Sequence, residues 1–407
     1  MMASMLHTVR ALNYPDYRIF LAGQGAALIG TWCQRIALIW LVYSTTGSPL
    51  LLGLVTFMAE IPFLVISPIG GVIADRLNQK KALIAIEAVA SLQAFLLAAL
   101  VWAGTATIEL ILLITLVQGI CQALDMPLRQ SLFPKLIDRP QDLPNAIALM
   151  AFMNNAGRLI GPVIAGLLIA AFGEELCFVL SGTGYLLVIV ALSRITIASH
   201  PVKSETGPVF RQLRTGLIYS WSQPSIRANL SILGAIGFCY LPYLILVPVF
   251  TREVLGGNAQ SLGYLLSSAG LGALLGLAWI ARQTKIDTFP RLIVASSTTG
   301  ALGMLILSQI TTEIMAVFAI AMIGIGISVS ATAINIYLQL VAATEKRGRV
   351  LGLYSTAFFG IAPLGNFTAG AIMESVGSAT TIFVLGLLGL VCTILFSLST
   401  RDFRGQA

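Results

Sequence analysis

The segment PLLLGLVTFMAEIPFLVISPIGGVIADRLNQKK, which runs from Pro49 to Lys81, decides the fold of this chain. Its residues 50–73 form a nearly unbroken apolar run, and the charged residues Asp75 and Arg76 follow it. A helix that crosses a bilayer needs about 20 mainly apolar residues. The segment therefore predicts a transmembrane helix followed by a basic turn.

The composition of the whole chain agrees with a protein that lies in a membrane. Of its 407 residues, 57% are hydrophobic and only 10% are charged, and the mean hydropathy is +0.90. A soluble domain carries roughly 25% charged residues. Too few charges are left to cover a surface in water, so a soluble protein is excluded.

Eleven further apolar runs satisfy the same length rule for a membrane-spanning helix. They lie at 17–43, 82–103, 109–127, 142–171, 175–194, 227–250, 260–281, 289–309, 313–340, 350–374 and 379–399. The sequence therefore predicts an all-α, polytopic membrane protein with twelve transmembrane helices.

The twelve spans divide into two similar halves. The longest polar stretch, 195–226, lies between the sixth and seventh spans and predicts a cytoplasmic linker. With a constant offset, the stretches 145–173 and 349–377 place one leucine and three glycines at matching positions. Repeated halves are typical of transporters, whose substrate site lies where the halves meet. We therefore expect two pseudo-symmetric six-helix bundles, at 1–194 and 227–407.

The distribution of basic residues predicts the orientation in the membrane. Cytoplasmic loops are enriched in Lys and Arg. With the N-terminus inside, the inner loops and their membrane edges collect all but three of the 24 Lys and Arg residues. The exceptions are Arg252 outside and Arg35 and Arg158 within spans. This bias predicts that both termini are cytoplasmic. We expect the membrane to be a bacterial cytoplasmic (inner) membrane.

Several classes of function have no support in the sequence. The net charge of +7 is scattered in short groups instead of clustering with aromatic residues, which argues against nucleic-acid binding. The five cysteines are far apart within apolar runs, and the two histidines lie in predicted loops. No HExxH, GxSxG or GxxxxGK[ST] motif is present. We therefore expect neither an enzyme nor a site for a metal or cofactor.

The turn after the second span carries the most distinctive motif, GGVIADRLNQKK from Gly70 to Lys81. Gly71 permits close approach of the backbone. Asp75 can accept hydrogen bonds from the exposed N–H groups at the start of a neighbouring helix and favours its positive dipole end. The alternative is a solvated basic turn, which is common in membrane proteins.

This motif resembles the loop signature of the major facilitator superfamily. The glycine and the following arginine near the end of that signature are Asn78 and Gln79 here. The resemblance implies a contact with the start of the eleventh span that closes the cytoplasmic side. The residues expected to form this gate are Gly71, Asp75, Arg76 and Arg129.

A second motif lies in the fifth span, GRLIGPVIAG from Gly157 to Gly166. It resembles the fifth-helix motif of proton-coupled exporters in the superfamily, with Ala165 in place of one glycine. Small residues four apart, such as Gly157 and Gly161, let helices approach closely in lipid, and Pro162 lets a helix bend. Plain helix packing is the alternative reading of Gly157, Gly161, Pro162 and Gly166.

Four further stretches resemble the drug and siderophore exporter branch that includes enterobactin exporters. They are residues 30–42, 46–53, 127–134 and 154–162. The resemblance implies export of a small molecule by a monomer. One departure concerns the fourth span, where Thr115 replaces the arginine that the superfamily places three residues before Gln118-Gly119.

Charged residues inside the spans are the candidates for coupling and substrate binding. A charge at mid-bilayer costs at least about 2.5–3.5 kcal/mol and usually faces a cavity with a partner. Glu60, in the middle of the second span, is the first candidate for a proton carrier. A fixed ion pair that sets helix packing is the alternative. The full candidate set is Arg35, Glu60, Glu87, Asp125, Asn154 and Arg158.

Together these features predict a secondary transporter that exports a drug-like compound or a siderophore by alternating access, in exchange for protons. Its expected partners are the small-molecule substrate, protons and membrane lipids. A lipid or lysophospholipid transporter of the same superfamily is the alternative, and an integral membrane enzyme is a more distant one.

Overall fold

The computed structural model describes residues 10–195, 217–280, 288–343 and 346–404. The side chains of 67–76, 140 and 400–404 lie outside this description. In chain order the α-helices are α1 (Pro15–Thr46), α2 (Pro49–Arg76), α3 (Gln79–Trp102), α4 (Ile108–Leu132), α5 (Leu143–Phe172), α6 (Glu175–Arg194), α7 (Pro224–Cys239), α8 (Tyr243–Glu253), α9 (Ala259–Ile280), α10 (Phe289–Leu307), α11 (Glu313–Val341), α12 (Arg347–Ser355), α13 (Ala362–Val376) and α14 (Ser378–Arg404).

The prediction of twelve transmembrane helices is confirmed. Twelve helical segments among the described residues are long and apolar enough to cross a membrane. Each overlaps one predicted span, and the helices α7 and α8 together form the seventh, Pro224–Glu253. Many apolar side chains point outward, including Ile314 at 75% exposure and Leu92 at 69%. An apolar outer surface is what contact with lipid requires.

Two spans are interrupted. The seventh span leaves the helical conformation between Cys239 and Tyr243, where Pro242 provides no backbone N–H for a continuing helix. The eleventh span contains a π-helical turn, Thr356–Gly360, between α12 and α13. Such turns are rare and are found at functional sites more often than elsewhere in helices.

The turn between α2 and α3 differs in detail from the prediction. The second span was expected to end at residue 73, but α2 continues through Asp75 to Arg76. Asn78 then caps α3, because its side-chain oxygen accepts a hydrogen bond from the Lys81 backbone N–H at 3.1 Å. The motif after the second span therefore forms the end of one helix and the cap of the next.

By its contacts the chain separates into two compact units. The first comprises Met1–Leu38 and Val65–Thr206, and the second comprises Ile39–Leu64 and Gly207–Ala407. This grouping assigns 39–64 to the second unit. The bundle boundaries at 1–194 and 227–407 stay a prediction, and most of the linker at 195–226 lies outside the described residues.

In the first unit, α3 packs on α6 and α4, and a short 3₁₀ turn precedes α1. The Ala11 backbone N–H of this turn donates to Asn145 Oδ1 at 3.0 Å. The Tyr14 hydroxyl donates to Asp142 Oδ2 at 2.8 Å, and this accepting carboxylate raises the pKa of Tyr14. These two bonds hold the start of α1 to the start of α5.

In the second unit, α11 packs closely against both α9 and α10. A methyl group at Gly324 would overlap the Ala269 carbonyl oxygen of α9, and one at Gly326 would overlap Gly300 of α10. Only glycine allows backbones to come so close, which is how small residues drive helix association in lipid. These contacts fix α11 as the central helix of this group.

Candidate functional site

The structure joins three of the predicted site residues in one largely buried cluster of the first unit. Glu87 of α3 and Asp125 and Arg129 of α4 form this charge cluster. Arg129 Nη2 lies 2.7 Å from Glu87 Oε1 and 2.6 Å from Asp125 Oδ1, and Arg129 Nε donates to Asp125 Oδ2 at 2.8 Å. The Glu87 side chain is 2% exposed. The expectation of a partner for these charges agrees with this geometry.

The charge cluster contains more negative than positive charge when all its groups are ionised. One guanidinium serves two carboxylates, and it also lies 6.0 Å from the centre of the Phe20 ring. Glu87 Oε2 and Arg129 Nη1 are buried and have no hydrogen-bond partner among the described residues. The cluster is thus incompletely paired in a region where ionic groups are costly.

A second buried polar group, which sequence reasoning missed, lies in the same unit. Gln34 of α1 is fully buried and donates from Nε2 to Gln93 Oε1 at 3.2 Å and to Gln118 Oε1 at 3.1 Å. Ser181 Oγ of α6 donates to Gln34 Oε1 at 2.6 Å. This glutamine network links four helices, and polar residues within apolar runs were the signal that could have revealed it.

In the second unit, Glu60 has a direct partner from the eleventh span. Asn366 Nδ2 donates to Glu60 Oε2 at 2.9 Å. Asn366 is 2% exposed, and its Oδ1 atom is buried without a hydrogen-bond partner among the described residues. The two helices come close because Gly53 lies against Gly370. The structure thus gives the first candidate for a proton carrier a polar contact with α13.

Two more carboxylates, absent from the predicted site, hold helix ends of the second unit together. The Tyr43 hydroxyl donates to Glu253 Oε1 at 2.7 Å, and Ser378 Oγ donates to Glu253 Oε2 at 3.2 Å. Glu374 Oε2 accepts from Ser48 Oγ at 2.9 Å and from the Leu50 backbone N–H at 3.0 Å. Glu374 therefore satisfies the exposed start of α2, where a negative charge is favoured.

The fifth-helix motif packs within the first unit. A methyl group at Gly161 would overlap the Trp32 side chain of α1, and one at Gly157 would overlap Leu28. Gly157, Gly161, Pro162 and Gly166 are all buried in α5. The described contacts agree with the packing reading of the two glycines, and a further role in transport stays a prediction.

The remaining predicted site residues of the first unit lie on α1 and α5. Arg35 lies on α1 with its guanidinium 5.9 Å from the centre of the Trp32 ring. Arg158 and the exposed Asn154 lie on α5. These three belong to the first unit and Glu60 to the second. A common cavity for them stays a prediction.

Of the four expected gating residues, the structure describes the side chain of one. The side chains of Gly71, Asp75 and Arg76 lie outside the described residues, so their contact with the eleventh span stays a prediction. Arg129, the fourth expected gating residue, belongs to the charge cluster.

Metal ligands and a groove are the remaining features of the described residues that bear on a site. No group of three or more His, Cys, Asp or Glu side chains in the described part of the chain is arranged to hold a metal ion. A groove of about 570 Å³ lies between α3, α5 and α6, and its lining includes Phe95, Trp102, Phe172 and Glu175. None of the predicted site residues lines it, so the groove does not carry the site.

Solved structures define the class of fold. The nucleoside transporter NupG is 13% identical and superimposes with a TM-score of 0.75, covering 95% of this chain and 99% of that one. A bacterial homologue of the human lysosomal transporter Spinster is also 13% identical, with a TM-score of 0.76 over 96% and 98% of the two chains. The chain shares the fold of these two transporters.

Curated relatives are similar over nearly the full length of the chain. The staphyloferrin A transporter of Staphylococcus aureus is 24% identical and covers 95% of this chain and 97% of its own. The multidrug efflux pump Tap of Mycolicibacterium fortuitum is 25% identical, at 93% and 95% coverage. Macrolide efflux protein A of Streptococcus pyogenes is 19% identical, at 94% and 96% coverage.

The transmembrane secretion effector family of the major facilitator superfamily matches residues 9–403. The chain belongs to this family. It is therefore a multi-pass membrane transporter of the efflux and secretion type, with a small-molecule substrate, and not an enzyme.

Proposed function

We propose that this transporter exports a drug-like compound or a siderophore from a bacterial cell by alternating access, in exchange for protons. It works as a monomer in the cytoplasmic membrane, with both termini inside. The names of its relatives support the substrate range, since they include a siderophore transporter and multidrug and macrolide efflux pumps.

The observation that carries the proposal is the contact between Glu60 and Asn366. It places an ionisable group of the second span against the eleventh span, 2.9 Å from an amide donor. Of the two side chains in the contact, only the Glu60 carboxyl group can take up and release a proton. Proton binding there removes the negative charge that the Asn366 amide group faces, and so changes the strength of this contact between helices.

The same contact suggests how proton binding is linked to the transport cycle. In alternating access one bundle rocks against the other around a central site. A charged Glu60 favours the arrangement in which Asn366 donates to it, and a protonated Glu60 weakens that preference. Arg35, Asn154 and Arg158 are proposed to contact the substrate, and the two arginines favour anionic groups on it.

The test is transport by the purified protein in proteoliposomes with an imposed pH gradient. The probes are a cationic dye, a macrolide, staphyloferrin A and a lysophospholipid. We expect the wild-type protein to move at least one of the first three probes, and collapse of the pH gradient to abolish this movement. Movement of the lysophospholipid alone, without a proton requirement, would assign the lipid-transport function instead.

The variant that tests Glu60 is Glu60→Gln, which preserves an oxygen to accept the Asn366 bond but cannot take up a proton. We expect it to insert in the membrane and to lose gradient-driven transport by about 100-fold, a loss equivalent to about 2.7 kcal/mol. The matched control is Glu313→Gln, at the exposed start of α11. Unchanged gradient dependence in Glu60→Gln would remove Glu60 from the coupling mechanism.

A further inference from the structure

We propose that Glu87 in the charge cluster is a second proton-binding site of this transporter. This inference rests on the proposed exchange of substrate for protons and adds a residue that acts at a different place from Glu60. It concerns the first unit alone, where α3 and α4 pack against each other.

The geometry divides the charge of Arg129 unequally between its two acidic partners. Asp125 takes two bonds from Arg129, at 2.6 and 2.8 Å, and it lies four residues before Arg129 on the same helix. This bidentate pair is fixed within α4, whereas Glu87 receives a single bond at 2.7 Å from across the helix interface. Asp125 therefore balances the arginine, and Glu87 is the carboxyl group in excess.

Among the described residues, the neighbours of Glu87 supply no second positive charge. The titratable side chains that interact with it are Asp125 and Arg129, together with Cys121 of α4 and Tyr185 of α6. From α1, the Phe20 ring lies near the guanidinium group of Arg129. A buried carboxylate without its own counter-charge is costly, and the usual outcome is uptake of a proton.

Glu87 Oε1 and Asp125 Oδ1 both accept from the same atom, Arg129 Nη2, at 2.7 and 2.6 Å, so the two carboxyl groups lie close together. Two ionised carboxylates that share one site repel each other, which favours a proton on one of them. Glu87 Oε2 is buried and has no hydrogen-bond partner among the described residues when the group is ionised. A proton on Glu87 Oε2 would remove the negative charge from this buried and unpaired oxygen atom.

The cluster also offers a route for the proton. The side chains of Asp125 and Arg129 are 22% and 19% exposed, whereas Glu87 is 2% exposed. A proton that enters at this partly exposed edge can reach Glu87 Oε2, and on release it leaves by the same edge. Loss of the proton converts the link between α3 and α4 into an ion pair, so the proton controls the strength of that link.

The experiment is infrared spectroscopy of the purified full-length protein in lipid, titrated with pH and read at the carbonyl stretch of protonated carboxylic acids. We expect the wild-type protein to retain a band near neutral pH, and Glu87→Gln to lose the intensity of one carboxyl group. The control is Glu109→Gln, an exposed glutamate at the start of α4, which should leave the band unchanged.

A second variant keeps the test valid if Glu87→Gln does not fold. In Asp125→Asn the arginine has only Glu87 to balance it, so Glu87 becomes ionised and the band disappears although Glu87 is present. Full retention of the band in either variant would overturn the proposal. If the variants lost the band but the wild-type protein showed no gradient-driven transport, Glu87 would still be a proton-binding site and the proposed proton exchange would be wrong.

Discussion

Replacement of Gln34 by leucine tests the glutamine network of the first unit. Gln34 is fully buried and makes three hydrogen bonds, to Gln93, Gln118 and Ser181. Gln34→Leu keeps the size of the side chain but removes all three bonds at once. Bonds between membrane helices are worth about 0.6 kcal/mol on average and about 1.7 at most. We therefore expect a loss of about 2 kcal/mol in the free energy of unfolding, with about 5 as the ceiling.

The chain offers a matched control on the same helix. Gln24 is also buried, but its Nε2 atom has no hydrogen-bond partner among the described residues. Gln24→Leu should therefore change the free energy of unfolding by less than about 0.5 kcal/mol, or stabilise the protein.

The assay is unfolding by titration of sodium dodecyl sulfate into protein in mild detergent, followed by far-ultraviolet circular dichroism. A loss of about 2 kcal/mol shifts the unfolding equilibrium by about 30-fold, which such a titration resolves. If Gln34→Leu and Gln24→Leu lowered the free energy of unfolding equally, the glutamine network would add nothing to the stability that helix packing gives.

Two further substitutions test contacts of the second unit in the same titration. Gly324→Ala places a methyl group against the Ala269 carbonyl oxygen, and the forced shift between α9 and α11 should cost about 1–3 kcal/mol; no loss of stability would show that the helices separate freely there. Tyr43→Phe removes one donor to Glu253 and, among the described residues, leaves Ser378 as the other, which should cost about 1 kcal/mol. If Tyr43→Phe lowered the free energy of unfolding by the same amount in a Glu253→Gln background as in the wild-type protein, that account would be contradicted.

The number and type of the elements could be predicted from the sequence because the bilayer fixes the length of each helix. A run of about 20 apolar residues forms a helix in lipid, because every backbone polar group must make its hydrogen bond within the segment. Helix ends were less certain, as α2 shows, since Asp75 and Arg76 continue a helix whose apolar part has already ended. Hydropathy locates the membrane-embedded part of a helix and not its last hydrogen-bonded turn.

The sequence identifies charged residues as candidates for the site, but it does not identify their hydrogen-bond partners. Charge in an apolar run was enough to single out Glu60 and Glu87. Their partners are 306 and 42 residues away in sequence, at Asn366 and Arg129, and no periodicity connects such positions. Glu253 and Glu374 were not predicted, because they lie near helix ends, where acidic residues are common. Pairing depends on how the helices pack.

The departure at Thr115 shows why the position of the arginine in α4 matters. Thr115 is 1% exposed and its hydroxyl has no hydrogen-bond partner among the described residues, so it does not replace the charge of the arginine in the superfamily's fourth-helix motif. The arginine of α4 lies fourteen residues later, at 129, which at 1.5 Å per residue is about 21 Å along the helix axis. Its positive field therefore acts near the end of the helix, where Glu87 and Asp125 compete for it. If this chain couples transport to protons, the charge cluster is where the fourth helix contributes to coupling, and Thr115→Arg should not restore the transport lost in an Arg129→Gln variant.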